Sequence, residues 1–248
     1  MDVLAVIPAR GGSKGIPRKN LQRLDGMPLV AHSIRAARAA RHPSRVVVST
    51  DDPEIASVAR EAGAEVIPRP EALSGDTASS EAALLHVLDV LGEQEGYRPE
   101  LLVFLQCTAP LTLPQDIDAT VDTLLAQGAD SALAVVPFHH FLWQEAGPGR
   151  AVGINHDPRV RLPRQQQPPQ YLETGAVYVM RADGFRRARH RFFGRIALHV
   201  MPRERAHEID EPVDLAIAEA MLRFQRRRPP GNGRLSMPEA MAGRPETA

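Results

Sequence analysis

Seven apolar runs of strand length alternate with amphipathic segments of helix length along most of this chain, and that alternation constrains the fold more than anything else in it. The runs are VLAVIPA (3–9), RVVVST (45–50), AEVIPR (64–69), LLVFLQ (101–106), SALAVVP (131–137), GAVYVM (175–180) and IALHVM (196–201). They are short, rich in branched aliphatics and bounded by turn residues, as strands buried on both faces are. Between them lie PLVAHSIRAARAAR (28–41), PEIASVAREAG (53–63), SSEAALLHVLDVLG (79–92) and PQDIDATVDTLLAQG (114–128). Several of these open on proline or serine and close near glycine, the punctuation of helices. The pattern predicts an α/β fold of three layers, with a mainly parallel sheet between helices, and it places ligands at the carboxyl ends of the strands.

Two segments break the rhythm. Residues 138–170 carry prolines, glycines, aromatic and polar residues instead of a further strand and helix. Such an insert is expected to be a lid or an assembly arm projecting from a single domain over 1–226. From 227 to 248 the chain is basic and then rich in Pro, Gly and Ala, which predicts a disordered tail. Formal net charge is zero, so nothing draws the chain as a whole to nucleic acid or to an anionic membrane, and any anion site must be local. A lone cysteine, Cys107, closes an apolar run and reads as a buried, inert thiol compatible with a reducing compartment. With no leader-like N-terminus and no long apolar segment, a soluble cytoplasmic protein is expected.

The local anion site is expected in ARGGSKGIPRKNL (9–21), directly after the first strand. Of 30 basic residues only Lys14 and Lys19 are lysine, and both fall in this loop beside Arg10 and Arg18. Lysine is a compact charge on a flexible stem that can meet one phosphate oxygen, and adjacent glycines let backbone N–H groups face an anion. The loop fits neither the dinucleotide nor the P-loop fingerprint, so the expectation is polyphosphate binding by another arrangement.

The run IPARGGSKGIPRKNL resembles the signature of the acylneuraminate cytidylyltransferases, the CMP-sialic acid synthetases. Later segments resemble that family in order: VVVSTDD (46–52), RPEALSGDTASS (69–80), LQCTAPL (105–111), RQQQPPQY (164–171), TGAVYV (174–179) and EIDEPVDLAIAE (208–219). The resemblance implies a Rossmann-like nucleotidyltransferase domain that uses CTP, an acidic nine-carbon sugar and Mg²⁺ to make a CMP-sugar and pyrophosphate. It also implies a homodimer built through the insert. By the same resemblance Arg10, Ser13 and Lys14 hold the CTP phosphates, with Lys19 alongside and Asn20 reaching the nucleoside. Arg69 and Ser80 contact the cytidine. Gln106, Arg164, Gln165, Gln166 and Tyr171 serve the acceptor, some of them across the dimer, and Arg10, Lys14 and Asp210 carry catalysis.

The residues themselves leave alternatives beside these roles. Arg69 and Ser80 also fit ordinary loop and capping chemistry, and Asp52 fits a helix N-cap ahead of Pro53 as well as a site. Gln106 ends a central strand, where a polar side chain faces a ligand crevice or satisfies the core. Glu208 and Asp210, two apart, suit a Mg²⁺ that takes one or two carboxylates plus phosphate oxygens; they equally suit the start of a helix at Pro212. His139 and His140 lack the further ligands that zinc requires. Departures from the family pattern, at Trp143, Leu172, Thr174 and Glu208, gather on the acceptor side and at the metal. They leave open a different ulosonic or other acid as acceptor.

Overall fold

The computed structural model describes residues 1–13, 15–160 and 162–227, with the side chains of Arg164, Arg226 and Arg227 outside that description. Lys14 and the segment 228–248, where the tail is expected, therefore lie outside the described residues. The chain runs β1 (Val3–Pro8), β2 (Arg23–Leu24), β3 (Met27–Pro28), α1 (Leu29–Ala39), β4 (Arg45–Thr50), α2 (Pro53–Glu61), β5 (Glu65–Pro68) and α3 (Ser80–Glu95). It continues through β6 (Leu101–Leu105), α4 (Pro114–Ala126), β7 (Ser131–Phe138), β8 (Trp143–Glu145), β9 (Ala151–Gly153), β10 (Gln170–Arg181), α5 (Ala182–Ala188), β11 (Ile196–Val200) and α6 (Pro212–Arg227).

Seven of the strands form one sheet in the order β11-β7-β10-β6-β1-β4-β5, parallel throughout except that β10 runs against both of its neighbours. Side chains alternate between its faces, as strand geometry requires. Ala5, Ile7, Val48, Val103 and Leu105 meet α1, α2 and α4 through Ile34, Ile55, Ile117 and Val121. Leu4, Val6, Val47, Leu102 and Phe104 meet α3 and α5 through Leu84, Leu88, Leu91 and Phe185. Two buried faces explain why the strands read as continuous apolar runs, and each large side chain so buried contributes about 1.5–3 kcal/mol.

Because the parallel strands share a direction, β1, β4 and β6 deliver their carboxyl ends to one edge, where the connections carry most of the polar residues singled out above. Caps fix how helices leave that edge. The Asp52 carboxylate accepts the N–H groups of Glu54 (2.8 Å) and Ile55 (3.0 Å), so its capping alternative is the one realised. At α3 the cap is Ser79, whose Oγ accepts the Ala82 N–H at 3.1 Å; Ser80 is the first helical residue.

The insert is more regular than its sequence suggests. β8 and β9 pair as a short antiparallel ribbon, a 3₁₀ turn spans Arg164–Gln166, and at its base β10 pairs with β7 as far out as Gln170 opposite Phe138. The pairing of β10 with β7 shifts between Glu173 and Tyr178, where Thr174 buries its hydroxyl on the Ala134 carbonyl (2.9 Å) and Gly175 takes a φ of 60°. No helix among the described residues is long and apolar enough to cross a membrane.

Candidate active site

The loop after β1 is fastened to both sides of the carboxyl edge. On one side the Gly11 N–H donates to Asp51 Oδ1 at 3.0 Å, and a Cβ at Gly11 would come 2.8 Å from Asp52 Oδ2, which is why that position is glycine. Arg18, held at a φ of 51°, places its guanidinium on Asp52 (2.9 Å) and Glu54 (3.0 Å). Arg10 reaches the β5–α3 connection, donating to the Gly75 carbonyl (2.9 Å) and to Asp76 Oδ1 (3.3 Å). Asn20 is buried and donates to the Arg10 carbonyl at 2.9 Å, so its amide group shapes the loop itself. Ser13 stands half-exposed in the loop.

On the other side Lys19 is decisive. Its ammonium donates to the Ile209 carbonyl (3.1 Å) and to Asp210 Oδ1 (3.0 Å). A side chain at Gly15 would collide with the Asp210 carbonyl, so loop and acidic segment pack backbone to backbone. The segment is held from beneath as well: Ile209 donates its N–H to the Thr108 carbonyl at 2.8 Å, and Asp214 in the first turn of α6 accepts the N–H groups of Asp210 (2.9 Å) and Glu211 (2.8 Å). Residues 191 positions apart in sequence thus meet cation against carboxylate beside the loop after β1.

Glu208 lies half-buried under the β10 bulge, where a side chain at Gly175 would run into its carboxylate. Burial first, then the neighbouring Asp210 and Glu173 carboxylates, push Glu208 up to about 7, against a smaller opposite pull from Lys19. The folded state therefore holds an extra proton between about pH 4.5, the ordinary value, and pH 7, and stability falls as pH rises through that window. In metal-free protein Glu208→Gln is expected to melt higher than the parent at pH 8, by the equivalent of about 1–2 kcal/mol after allowing for solvent screening. That advantage disappears near pH 4.5. Thermal melts in EDTA across this range check it, and parallel profiles for the two proteins would contradict it.

These carboxylates also decide whether a divalent cation fits. Asp210 is 71% exposed and Glu208 sits beside it, with acidic neighbours that a positive ion would relieve. Among the described residues no three His, Cys, Asp or Glu side chains gather to hold a metal by themselves. The donor set suits Mg²⁺, which takes one or two carboxylates and completes its shell with water and phosphate oxygens.

The base and acceptor sides are less drawn together. Arg69 is buried, with Nε on Ser49 Oγ (3.2 Å) and a terminal nitrogen on the Ser49 carbonyl (2.7 Å); burial lowers its pKa, and Asp51 opposes the shift. Ser80 is half-exposed at the start of α3. Gln106 follows β6 half-exposed, its Oε1 accepting from Thr108 Oγ1 at 3.3 Å. Gln165 and Gln166 sit exposed in the 3₁₀ turn, Tyr171 is exposed on β10, and none of the three makes a hydrogen bond or ion pair with the described residues of the loop after β1 or of the acidic segment. Trp143 and Leu172 are exposed on the arm and its base. Cys107 is buried, which pushes its thiol up to about 12 and leaves it inert, and His139 stacks on His140 at 4.7 Å.

Sequence reasoning missed Asp51 and Asp76, the carboxylates that engage the loop. Their only signal was position, at a strand end and beside Gly75 in a loop after the next strand. It also missed Arg191, which lies 4.9 Å over Phe104 and 4.7 Å over Tyr178 and pairs with Glu81 at 2.7 Å. Tyr178 in turn bonds Glu173.

Known proteins resemble this chain in sequence and in fold. The pattern that defines the family described as Cytidylyltransferase matches residues 4–182. The N-acylneuraminate cytidylyltransferase of Oncorhynchus mykiss is 36% identical over 228 residues, covering 90% of this chain and 51% of that protein, so the chain spans about half the length of this curated relative. The pseudaminic acid cytidylyltransferase of Campylobacter jejuni is 30% identical over 230 residues, covering 89% of this chain and 96% of that one. Among solved structures, CMP:2-keto-3-deoxy-manno-octonic acid synthetase complexed with CTP superposes with a TM-score of 0.67 at 18% identity, over 91% of this chain and 100% of that chain. At that identity the likeness speaks to the fold.

Proposed function

The chain belongs to the cytidylyltransferase family, and from that premise we propose that it transfers CMP from CTP to the anomeric hydroxyl of an acidic sugar, releasing pyrophosphate. The acceptor is an N-acylneuraminate or a related nonulosonic acid, the class named in the relatives' own activities. The observation that carries the reading is the Lys19–Asp210 contact at the carboxyl edge of the sheet, where a phosphate-loop cation and an exposed carboxylate share one wall. A triphosphate and its counter-ion call for that pairing.

The sugar hydroxyl attacks the α-phosphorus in line, the bond to the β-phosphate oxygen breaks, and the hydroxyl proton leaves to solvent or a nearby base. Little covalent chemistry falls to the protein, so its contribution is positioning and charge neutralisation. Arg10 exchanges Asp76 and the Gly75 carbonyl for phosphate oxygens, and with Lys14 it neutralises the departing pyrophosphate. Lys19 keeps Asp210 in place at the crevice wall, while Arg69 and Ser80 border the space for cytosine. Gln106 faces the acceptor. Mg²⁺, held by Asp210 and Glu208, would supply Lewis-acid polarisation of the phosphate oxygens.

The arm makes this chain half of a homodimer. Leu142, Trp143, Ile154, Val160, Leu162, Tyr171 and Leu172 all stand at 40% exposure or more, an apolar surface that supports burial against a second copy. The departures from the family pattern favour a variant acceptor: Leu172 and Trp143 are on this surface, so the acid they would meet is recognised partly by residues of the arm.

Pyrophosphate release is the test. With Mg²⁺ and a panel of nonulosonic acids, CTP is expected to be used far better than ATP, GTP or UTP. Equal use of the four nucleotides would remove the cytidine assignment, and no release of pyrophosphate with any acid would leave a nucleotide-binding protein without this turnover.

A further inference from the structure

The chain leading into the acidic segment is anchored by an ion pair to α4. Asp116, in the first turn of α4, is 1% exposed, and its carboxylate accepts three hydrogen bonds from two partners. Its Oδ2 accepts the Leu113 N–H at 2.9 Å and Arg205 Nε at 2.8 Å, while its Oδ1 accepts a terminal Arg205 nitrogen at 2.6 Å. This is a two-pronged guanidinium–carboxylate contact between groups 89 positions apart, with Arg205 itself largely buried. Burying such a pair contributes little net stability, because desolvation offsets the attraction; what a fork-to-fork contact fixes firmly is relative position.

That position governs the proposed metal carboxylates. Four residues on from Arg205, the Ile209 N–H bonds the Thr108 carbonyl, so the 205–209 segment is held at two rungs, one on the first turn of α4 and one on the β6–α4 connection. The same connection begins with Gln106, and the same segment continues into Asp210, against which Lys19 and Gly15 of the phosphate loop are seated. Gln225 on α6 holds the neighbouring Glu204 carbonyl at 2.8 Å, limiting the slack on the far side. One ion pair thereby sets the spacing between the acceptor-side glutamine, the acidic segment and the phosphate loop.

We propose that Arg205 and Asp116 are positioning residues for the metal site, fixing Asp210 and Glu208 in the register that accepts a divalent cation on bound CTP. The inference rests on the metal role given to Asp210 above. Arg205→Lys keeps the charge and loses the fork. The double change Asp116→Asn with Arg205→Met removes both charges and leaves an acceptor for the Leu113 N–H, so it keeps the test open if the single variant folds poorly.

The probe is Mn²⁺ titrated onto full-length protein with CTP, read by water-proton relaxation enhancement, which separates protein-bound Mn²⁺ from the Mn²⁺–CTP complex in solution. Parent and Asp210→Asn are run as references, with CTP affinity in EDTA and melting temperature measured alongside. Supporting partners of metal ligands are typically worth 10–100-fold in metal affinity, so Mn²⁺ binding is expected to weaken about tenfold or more in both variants. CTP affinity in EDTA should hold within about twofold, and the double variant should stay folded, because it buries no unpaired charge, with a lower melting temperature set by the amide N–H groups that Asp116→Asn leaves unpartnered. If Asp210→Asn loses Mn²⁺ while both Arg205 variants bind it like the parent, the ion pair is only structural and the inference falls. If Asp210→Asn itself binds Mn²⁺ like the parent, the metal assignment fails first and takes the inference with it.

Discussion

Asp210→Asn is expected to lower turnover by a factor on the order of a hundred or more, the largest effect of any single substitution in the site. Asparagine keeps the size and most of the hydrogen bonding of the side chain and removes its charge. Asp210 is exposed, so the change leaves no buried group unsatisfied, and its backbone N–H remains on Asp214. The fold should therefore be untouched. CTP binding should also survive better than catalysis, since Arg10, Lys14 and the base contacts remain, and Lys19 keeps the Ile209 carbonyl as a partner. Glu208→Gln should do less, because half of that side chain's environment is the β10 bulge. Turnover against Mg²⁺ concentration for both variants checks the prediction; parental turnover and metal dependence in Asp210→Asn would reduce these acids to the start of α6.

Removing the arm should cost nearly all activity with acceptor while sparing the domain. The strands that enter and leave it, β7 and β10, are paired antiparallel from Phe138 opposite Gln170 inward, so residues between them can be replaced by a tight turn without opening the sheet. What is lost is the exposed apolar surface of Trp143, Ile154 and Val160, together with the exposed Gln165 and Gln166 of the 3₁₀ turn. Light scattering should report a folded monomer that still binds CTP. An intact dimer after the deletion would place the interface elsewhere.

The central strands and their helices were legible because every one of them is buried on two faces or one, so hydrophobic period and element coincide: Val46, Val47 and Val48 are an apolar run for the same reason that they are core. The ribbon of β8 and β9 was not, because its strands are three residues each, exposed along β8 and only partly buried along β9, too short to show an apolar alternation; only the glycines of its turn, Gly147 and Gly149 at φ values of 140° and 71°, hint at it. Helix α5 is seven residues long, too short for a period to show. Ser79 and Ser80 are equivalent in sequence, and only the geometry of α3 chooses the cap.

In the site, loop and acidic segment were each recognisable from their residues, but their contact was not. Lys19 and Asp210 meet because β1 and β6 are neighbours in the sheet and the chain after Thr108 passes under Ile209, a consequence of topology that local patterns do not encode. The same holds for Arg205 and Asp116. Neither stands out in sequence, since an arginine among twenty-eight and an aspartate in a first helical turn are both unremarked until burial is known.

The central claim, CMP transfer to an acidic sugar, is tested most directly by mass spectrometry of the product formed from CTP, Mg²⁺ and a nonulosonic acid. The account predicts a CMP-sugar carrying one phosphate, with pyrophosphate in equal amount and product formed on the order of a hundredfold more slowly when Asp210→Asn replaces the parent. Consumption of CTP to CMP and pyrophosphate with no sugar adduct, across the whole panel of acids, would contradict it.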